Sequence, residues 1–395
     1  MRVCGIICEY NPFHRGHMLH ISRAREESGA DFVVCAMSGP VTQRGTFARH
    51  DKWTRARAAL MGGADLVLEL PVRFACASAQ EFAAGGVALL SGLGVVTHLS
   101  FGCEADTLPL LRPAACALGS ESPEFAGALR ARLARGLSYP RARAEAAEQA
   151  SGIPGLAQAI SLPNAALALE YLRTLPPHIA PVPIARMGSG YHDESLSELS
   201  SATAVRAALA RGDADAAFDA LPFPDPFAQA EADGDVHGEE ALTQALLYRL
   251  RTTDTSSLSQ LAGMDEGLEH RFLAAACHAH TREALIAAVK SRRYTWTRLS
   301  RLCTGILLQI DRGFAGAHRT PTYARILGFR RSSSLLLHEI KQTSALPLIT
   351  KAADFDRSDP LFLLDTRAQD LWALGCASPE RRTSGRDFVT GPVIL

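Results

Sequence analysis

Across 395 residues, 41 Lys and Arg balance 41 Asp and Glu, so the formal net charge is zero and a chain-wide polyanion sleeve is excluded. With 47% hydrophobic and 21% charged residues, a disordered or fibrous chain is excluded as well. The length leads us to expect two domains. The first apolar run, residues 2–8, reads as a strand. Asn11-Pro12 follows as a turn, and residues 17–27 read as an amphipathic helix. Between strand and helix stands Glu9-Tyr10-Asn11-Pro12-Phe13-His14-Arg15-Gly16-His17. This arrangement aims backbone N–H donors and two imidazoles at one point. A helix N-terminus carries unpaired donors and a partial positive charge, so that point suits a phosphate. Gly16 lets a ligand come close to the backbone. His14 and His17, one turn apart, also fit a pair of metal ligands. A metal would need a third ligand, and Glu9 is the only carboxylate close by, so no metal site is assigned.

Further strands are expected at 31–37, 65–71, 97–101 and 183–187, with helices at 51–61 and 79–90 between them. Strands rich in Val, Ile and Leu alternating with helices predict an α/β fold with a Rossmann-like parallel sheet. Ligands on such sheets bind beyond the carboxyl ends of the strands, where His14, Ser38, Glu69 and Gly102 fall. After 183–187 comes Gly188-Ser189-Gly190-Tyr191-His192-Asp193. Ser201-Ala202-Thr203-Ala204-Val205-Arg206 then reads as a capped helix start and a second anion site, against the plainer reading of an ordinary capped helix with a solvated Arg206. From 212 to 248 there is no Lys or Arg but a concentration of acids, and from 282 to 331 the balance reverses. This divides the chain into a nucleotide-binding domain at 1–212, an acidic linker at 213–240 and a mainly α-helical C-terminal domain at 241–395. Within the last, Arg292, Arg293, Tyr294, Trp296, Arg298 and Arg301 interleave cations with aromatics, a pattern suited to RNA phosphates and bases. The plainer alternative is an amphipathic helix with a basic face and a buried Trp296. Residues 323–329 read as mixed, and 334–343 as a helix. Nine cysteines form no Cys-x-x-Cys, and several lie in apolar runs. With no leader pattern and no membrane-spanning run, a reduced, cytoplasmic protein with no membrane association is expected.

Taken together, these motifs resemble the tRNA(Met) cytidine acetate ligases, a branch of the nucleotidyltransferase superfamily marked by His-x-Gly-His. The resemblance is carried by residues 5–20, Met37-Ser38-Gly39 with Gln43-Arg44-Gly45, Asp51-Lys52-Trp53-Thr54-Arg55, and 64–71. It continues through Phe101-Gly102-Cys103-Glu104, Pro163-Asn164, 186–193, 201–206, 325–329, Glu339-Ile340-Lys341 and Leu346-Pro347. It implies a nucleotidyltransferase domain at 1–212 and an ATP-dependent reaction without coenzyme A. Acetate and ATP would give acetyl-adenylate, and the acetyl group would pass to the wobble cytidine of elongator tRNA(Met).

By this resemblance ATP, with Mg²⁺, lies on Ile7, Cys8, Glu9, Tyr10, Asn11, Pro12, Phe13, His14, Arg15, Gly16, His17, Met18, Leu19 and His20. Gly102, Asn164, Arg186, Ser201, Thr203 and Arg206 complete its site. His14 and His17 are the expected catalytic pair. Arg292, Arg293, Arg298 and Arg301 are the expected RNA contacts. Gln43, Arg44, Lys52 and Arg55 are candidates for acetate or RNA, against a solvated helix face for Lys52 and Arg55. Cys103 is expected as a small packed residue rather than an acyl acceptor. Two other readings stay open: a cofactor-type nucleotidyltransferase acting on a small phosphorylated substrate, and a non-catalytic RNA-binding protein that keeps the nucleotide fold.

Overall fold

Five aliphatic strands set the frame: β1 (Val3–Cys8), β2 (Phe32–Ser38), β3 (Leu66–Leu70), β4 (His98–Cys103) and β5 (Ala180–Ala185). They pair in parallel in the order β5-β4-β1-β2-β3. The computed structural model describes residues 1–104, 107–118, 122–185 and 201–395. All five residues of β3 are buried, as the apolar two-faced pattern requires. The principal helices are α1 (Arg15–Ser28), α2 (Lys52–Met61), α3 (Ala79–Gly92), α4 (Pro123–Ala134), α5 (Tyr139–Ser151), α6 (Pro163–Thr174), α7 (Ala202–Ala210), α8 (Asp225–Ala232), α9 (Trp296–Leu308) and α10 (Pro360–Leu374). Side chains cap several of them: Asp51 accepts from Thr54 N, Ser78 from Glu81 N and Ser201 from Ala204 N. From β1 the chain moves outward one way to β2 and β3, then returns to β4 and β5 on the other side. The gap between β1 and β4 is the topological switch point, where such sheets open a crevice.

The stretch read as mixed is a strand. β6 (Ala324–Phe329) lies antiparallel to β3, and β7 (Leu348–Ile349) and β8 (Val393–Ile394) pair in parallel with β6. Register explains the choice of residues. Glu69, wholly buried near the carboxyl end of β3, faces Arg325 of β6. A buried carboxylate needs cations. Glu69 takes two hydrogen bonds from Lys52 Nζ, both 2.8 Å, and Arg325 stands 3.3 Å away. Asp387 completes the group, 2.7 Å from Lys52 and 2.9 Å from Arg325. Gly39 is required beside it, because a Cβ there would come within 2.2 Å of Glu69 Oε1.

The acidic stretch expected as a linker holds α8. Phe227 of that helix is fully buried, and Glu231 is tied to Arg49 by bonds of 2.5 and 2.6 Å and to His50 at 3.1 Å. Beyond it, residues between Leu246 and Ile306 form a separate helical core. Among the described residues no helix is long and apolar enough to cross a membrane.

Next to the charged group, Asp365 of α10 accepts from Val72 N at 2.8 Å and from Tyr323 Oη at 2.5 Å. Burial, then the nearby Glu69 charge, pushes its carboxyl up to about 8. The folded chain therefore keeps a proton that the unfolded chain has released above pH about 4, and stability is lost as pH rises towards 8. His50 and His237, held neutral chiefly by burial, slope the opposite way, but only below pH about 6.5. Stability should thus fall by about 2 kcal/mol between pH 6.5 and 8, and Asp365→Asn should flatten that fall. Urea midpoints across this window check it; an equal slope in the variant would refute the assignment.

Candidate active site

The loop after β1 turns sharply into α1. Tyr10 has a φ of 51°, and the Asn11–Pro12 peptide is cis. His14 is the N-cap of α1. Its Nδ1 accepts from Gly16 N at 3.1 Å, while His17 Nδ1 accepts from His14 N at 3.3 Å. A ring nitrogen that accepts carries no proton, so these bonds assign the neutral Nε2–H tautomer to both histidines. The two rings stack at 3.6 Å between centroids, and Tyr10 and Phe13 pack on His17 at 4.7 and 5.7 Å. Both imidazoles are thereby fixed before any ligand arrives.

A second helix N-terminus meets the first. Ser201 caps α7, and Arg206 bonds from one guanidinium nitrogen to the Asn11 carbonyl at 2.5 Å and from another to Thr203 Oγ1 at 3.3 Å. Arg206 thus ties the start of α7 to the loop ahead of α1. Two positive helix ends and a guanidinium converge, an arrangement suited to a polyphosphate.

They open on a cleft of about 1040 Å³. Of the residues expected at ATP, Ile7, Cys8, Glu9, Tyr10, Asn11, His14, Gly16, His17, Leu19, His20, Gly102, Asn164, Ser201, Thr203 and Arg206 line it. Pro12, Phe13, Arg15 and Met18 do not; Phe13 is buried beneath the histidines. Arg186 and the 188–193 segment lie outside the described residues. Asn164 Nδ2 donates to Glu104 Oε1 at 3.0 Å, which leaves the amide oxygen as acceptor for a ligand. Cys103 is buried and off the cleft. Burial, then the Glu104 charge, pushes its thiol up to about 11, which leaves it inert.

Neither Lys52 nor Arg55 lies on a solvated helix face or in the cleft; both are wholly buried. Lys52 belongs to the Glu69 group. Arg55 donates to four backbone carbonyls: Glu9 at 2.7 Å, Ser38 at 2.9 Å, His50 at 3.0 Å and Gly39. It clamps the loops at the ends of β1 and β2, a role visible only once those loops are in place. Gln43 and Arg44 do line the cleft. Gln43 N donates to Glu9 Oε1 at 2.6 Å, and the Gly45 carbonyl accepts from Ser300, Thr304 and Arg282. Gly45 has a φ of +77°, and a Cβ there would strike the Arg301 backbone. The Gln-Arg-Gly loop therefore docks α9 against the site.

Of the arginines expected at RNA, Arg301 lines the cleft and bonds to the Gln43 carbonyl at 3.2 Å. Arg293 pairs with Glu266, and Arg298 stands 3.7 Å from Asp265. Arg292 is exposed. Trp296 is 38% exposed rather than buried. Among the described residues no group of three His, Cys, Asp or Glu side chains is placed to hold a metal.

Residues 1–387 match the family model described as HIGH Nucleotidyl Transferase. Over the full length of both chains, this protein is 36% identical to the tRNA(Met) cytidine acetate ligase of Acetivibrio thermocellus. It is 37% identical to the enzyme of that name from Halothermothrix orenii, over 100% of this chain and 99% of the relative. The chain belongs to the tRNA(Met) cytidine acetate ligase family. A crystal structure of Thermotoga maritima TmcAL bound with alpha-thio ATP superimposes with a TM-score of 0.91 at 30% identity, covering 100% of each chain. Full coverage shows that the family fold includes both the sheet that carries the histidines and the helical part that α9 docks onto it. The features that the motifs did not indicate are the loop-clamping role of Arg55, the pairing of Glu104 with Asn164 and a cleft wall at 138–145. For the last, a run of arginines between 130 and 143 was the available signal.

Proposed function

We propose that this protein joins acetate to the wobble cytidine of elongator tRNA(Met) at the cost of ATP, giving N4-acetylcytidine, AMP and pyrophosphate without coenzyme A. The observation that carries this is the convergence of the α1 and α7 N-termini, with His14, His17 and Arg206, on one cleft in a full-length family member. A carboxylate oxygen of acetate attacks the α-phosphorus, and the bond from that phosphorus to the pyrophosphate oxygen breaks. The cytidine N4 amine then attacks the acetyl carbonyl, the bond to AMP breaks, and the amine releases one proton. Every group in the first step is an anion, so catalysis rests on position and charge. His14 and His17 offer Nε2–H donors to the oxygens that gain charge at the α-phosphorus. Ser201, Thr203 and Arg206 hold the outer phosphates. Mg²⁺ enters with ATP as part of the substrate. Arg44 is one of the cations of the cleft wall that could take the acetate carboxylate. No covalent protein intermediate is needed, in keeping with the inert Cys103.

Asn164 serves the nucleoside end, with Glu104 fixing its amide. Glu104→Ala is expected to raise the KM for ATP about 5-fold with kcat little changed, since it removes one orienting hydrogen bond worth about 1 kcal/mol. An unchanged KM would mean that the pair does not serve the nucleotide.

Mass spectrometry of nucleosides from elongator tRNA(Met), after incubation with the protein, ATP–Mg²⁺ and isotopically labelled acetate, tests the whole reading. Labelled N4-acetylcytidine supports it. Acetate-dependent pyrophosphate release with no labelled nucleoside would keep the first step and reject the acceptor.

A further inference from the structure

The cleft has a wall that no nucleotide motif contributes. At about 1040 Å³ it lies at the top of the range of roughly 300–1,000 Å³ that suits a single small ligand. Its far wall is the helical excursion between β4 and β5. Ser138, Tyr139, Pro140, Arg141 and Glu145, at the start of α5, face the same space as His14 and Arg206. Between 123 and 151 stand five arginines and three acids, Glu124, Glu145 and Glu148, and Arg143 is paired with Glu170. Arg141 Nε bonds to Glu145 at 2.9 Å, and Arg132 reaches the same carboxylate at 3.3 Å while donating to Gln149 at 2.9 Å. Glu145 thus offsets one of two guanidiniums. Arg135, one turn beyond Arg132, adds a further exposed cation, and Tyr139 is 41% exposed at the first turn of α5. The wall carries a net positive charge and an uncovered aromatic ring.

The opposite wall is weaker than its sequence indicates. Arg293 is neutralised by Glu266, Asp265 draws on both Arg298 and Arg312, and Arg301 is engaged by the Gln43 carbonyl. An ion pair at the surface contributes little net field to a polyanion. Arg292, Arg301 and one of the two arginines on Asp265 stay uncompensated there, so a strand of RNA entering between α5 and α9 would meet cations on both walls.

We propose that the α4–α5 excursion is an RNA-contacting surface that begins at the cleft, with Arg141 at the cleft wall, Arg132 and Arg135 beyond it on backbone phosphates, and Tyr139 as a stacking platform for a base. The proposal rests on the tRNA reading above. Single-stranded segments are held by cations that track the backbone and by aromatic faces that accept any base, and this wall supplies both beside the nucleotide site.

The test is equilibrium binding of elongator tRNA(Met) transcript at several salt concentrations, without turnover. Tyr139→Ala is expected to weaken binding about 10-fold, while Tyr139→Phe, which keeps the ring, binds like the wild type. Arg135→Glu is expected to weaken binding and to reduce the slope of log K against log salt by about 0.7, and Arg135→Lys to restore both. Wild-type affinity and salt slope in both Tyr139→Ala and Arg135→Glu would overturn the wall and leave the functional reading standing. A wild-type protein that binds no tRNA would overturn both together.

Discussion

Replacing His17 with alanine should lower acetate-dependent pyrophosphate exchange by about 10³-fold, the scale of losing one preorganised donor to a developing oxyanion. The ring is locked on both sides. Its Nδ1 accepts from His14 N, and Tyr10, Phe13 and His14 hold its faces, so the ring's donor is Nε2–H. Because His14 and His17 stack at 3.6 Å, each positions the other, and the double variant should lose less than the product of the two single losses. His17→Gln, which keeps an N–H on a looser stem, should recover part of the rate. Binding of tRNA should survive in all three, since the rings sit at the phosphate end of the cleft. Exchange within 10-fold of wild type in His17→Ala would remove the imidazole from the chemistry.

The buried charge group predicts the largest loss of stability. Lys52→Met leaves Glu69 facing only Arg325 and leaves Asp387 short of one partner. Removing one member of a buried ion pair typically costs about 3–5 kcal/mol, because the surviving charge stays desolvated. The double change Lys52→Met with Glu69→Gln keeps the balanced Arg325–Asp387 pair at 2.9 Å and should recover most of that loss. Denaturant midpoints of the two single variants and the double close the cycle. Additive losses would show that Lys52 and Glu69 do not act as a pair.

The strand, loop and capped helix starts around His14 and Ser201 were legible in the sequence because their signals are local. Apolar strands, Asn11-Pro12, the His14 N-cap and the Ser201 cap each depend on neighbours within a few positions. β6 was not legible, since its reason for being a strand is Glu69, some 250 residues earlier in the chain. The converse signal was present in Leu66-Val67-Leu68-Glu69-Leu70, where a lone acid inside a buried strand demands a cation from elsewhere. Lys52 and Arg55 share one face of α2 at i,i+3 spacing, and spacing alone does not say whether such a face looks out or in. Here it looks into four carbonyls and two carboxylates. The α5 wall was not legible for a related reason: Tyr139 and Arg141 are far in sequence from every nucleotide motif, and only the fold brings them to the same cleft.

The antiparallel strand that closes the sheet also sets a schedule for biosynthesis. β3 leaves the ribosome early, yet its partner follows roughly 250 residues later, a wait of about 10–50 s at ordinary elongation rates. Through that interval an apolar strand presents a bare edge, with Lys52 and Glu69 still lacking Arg325 and Asp387. The nascent chain therefore passes through a period of exposure to edge-to-edge association that the finished molecule never shows. A change that weakens β6 pairing would lengthen this period and surface first as poor yield, ahead of any fall in specific activity.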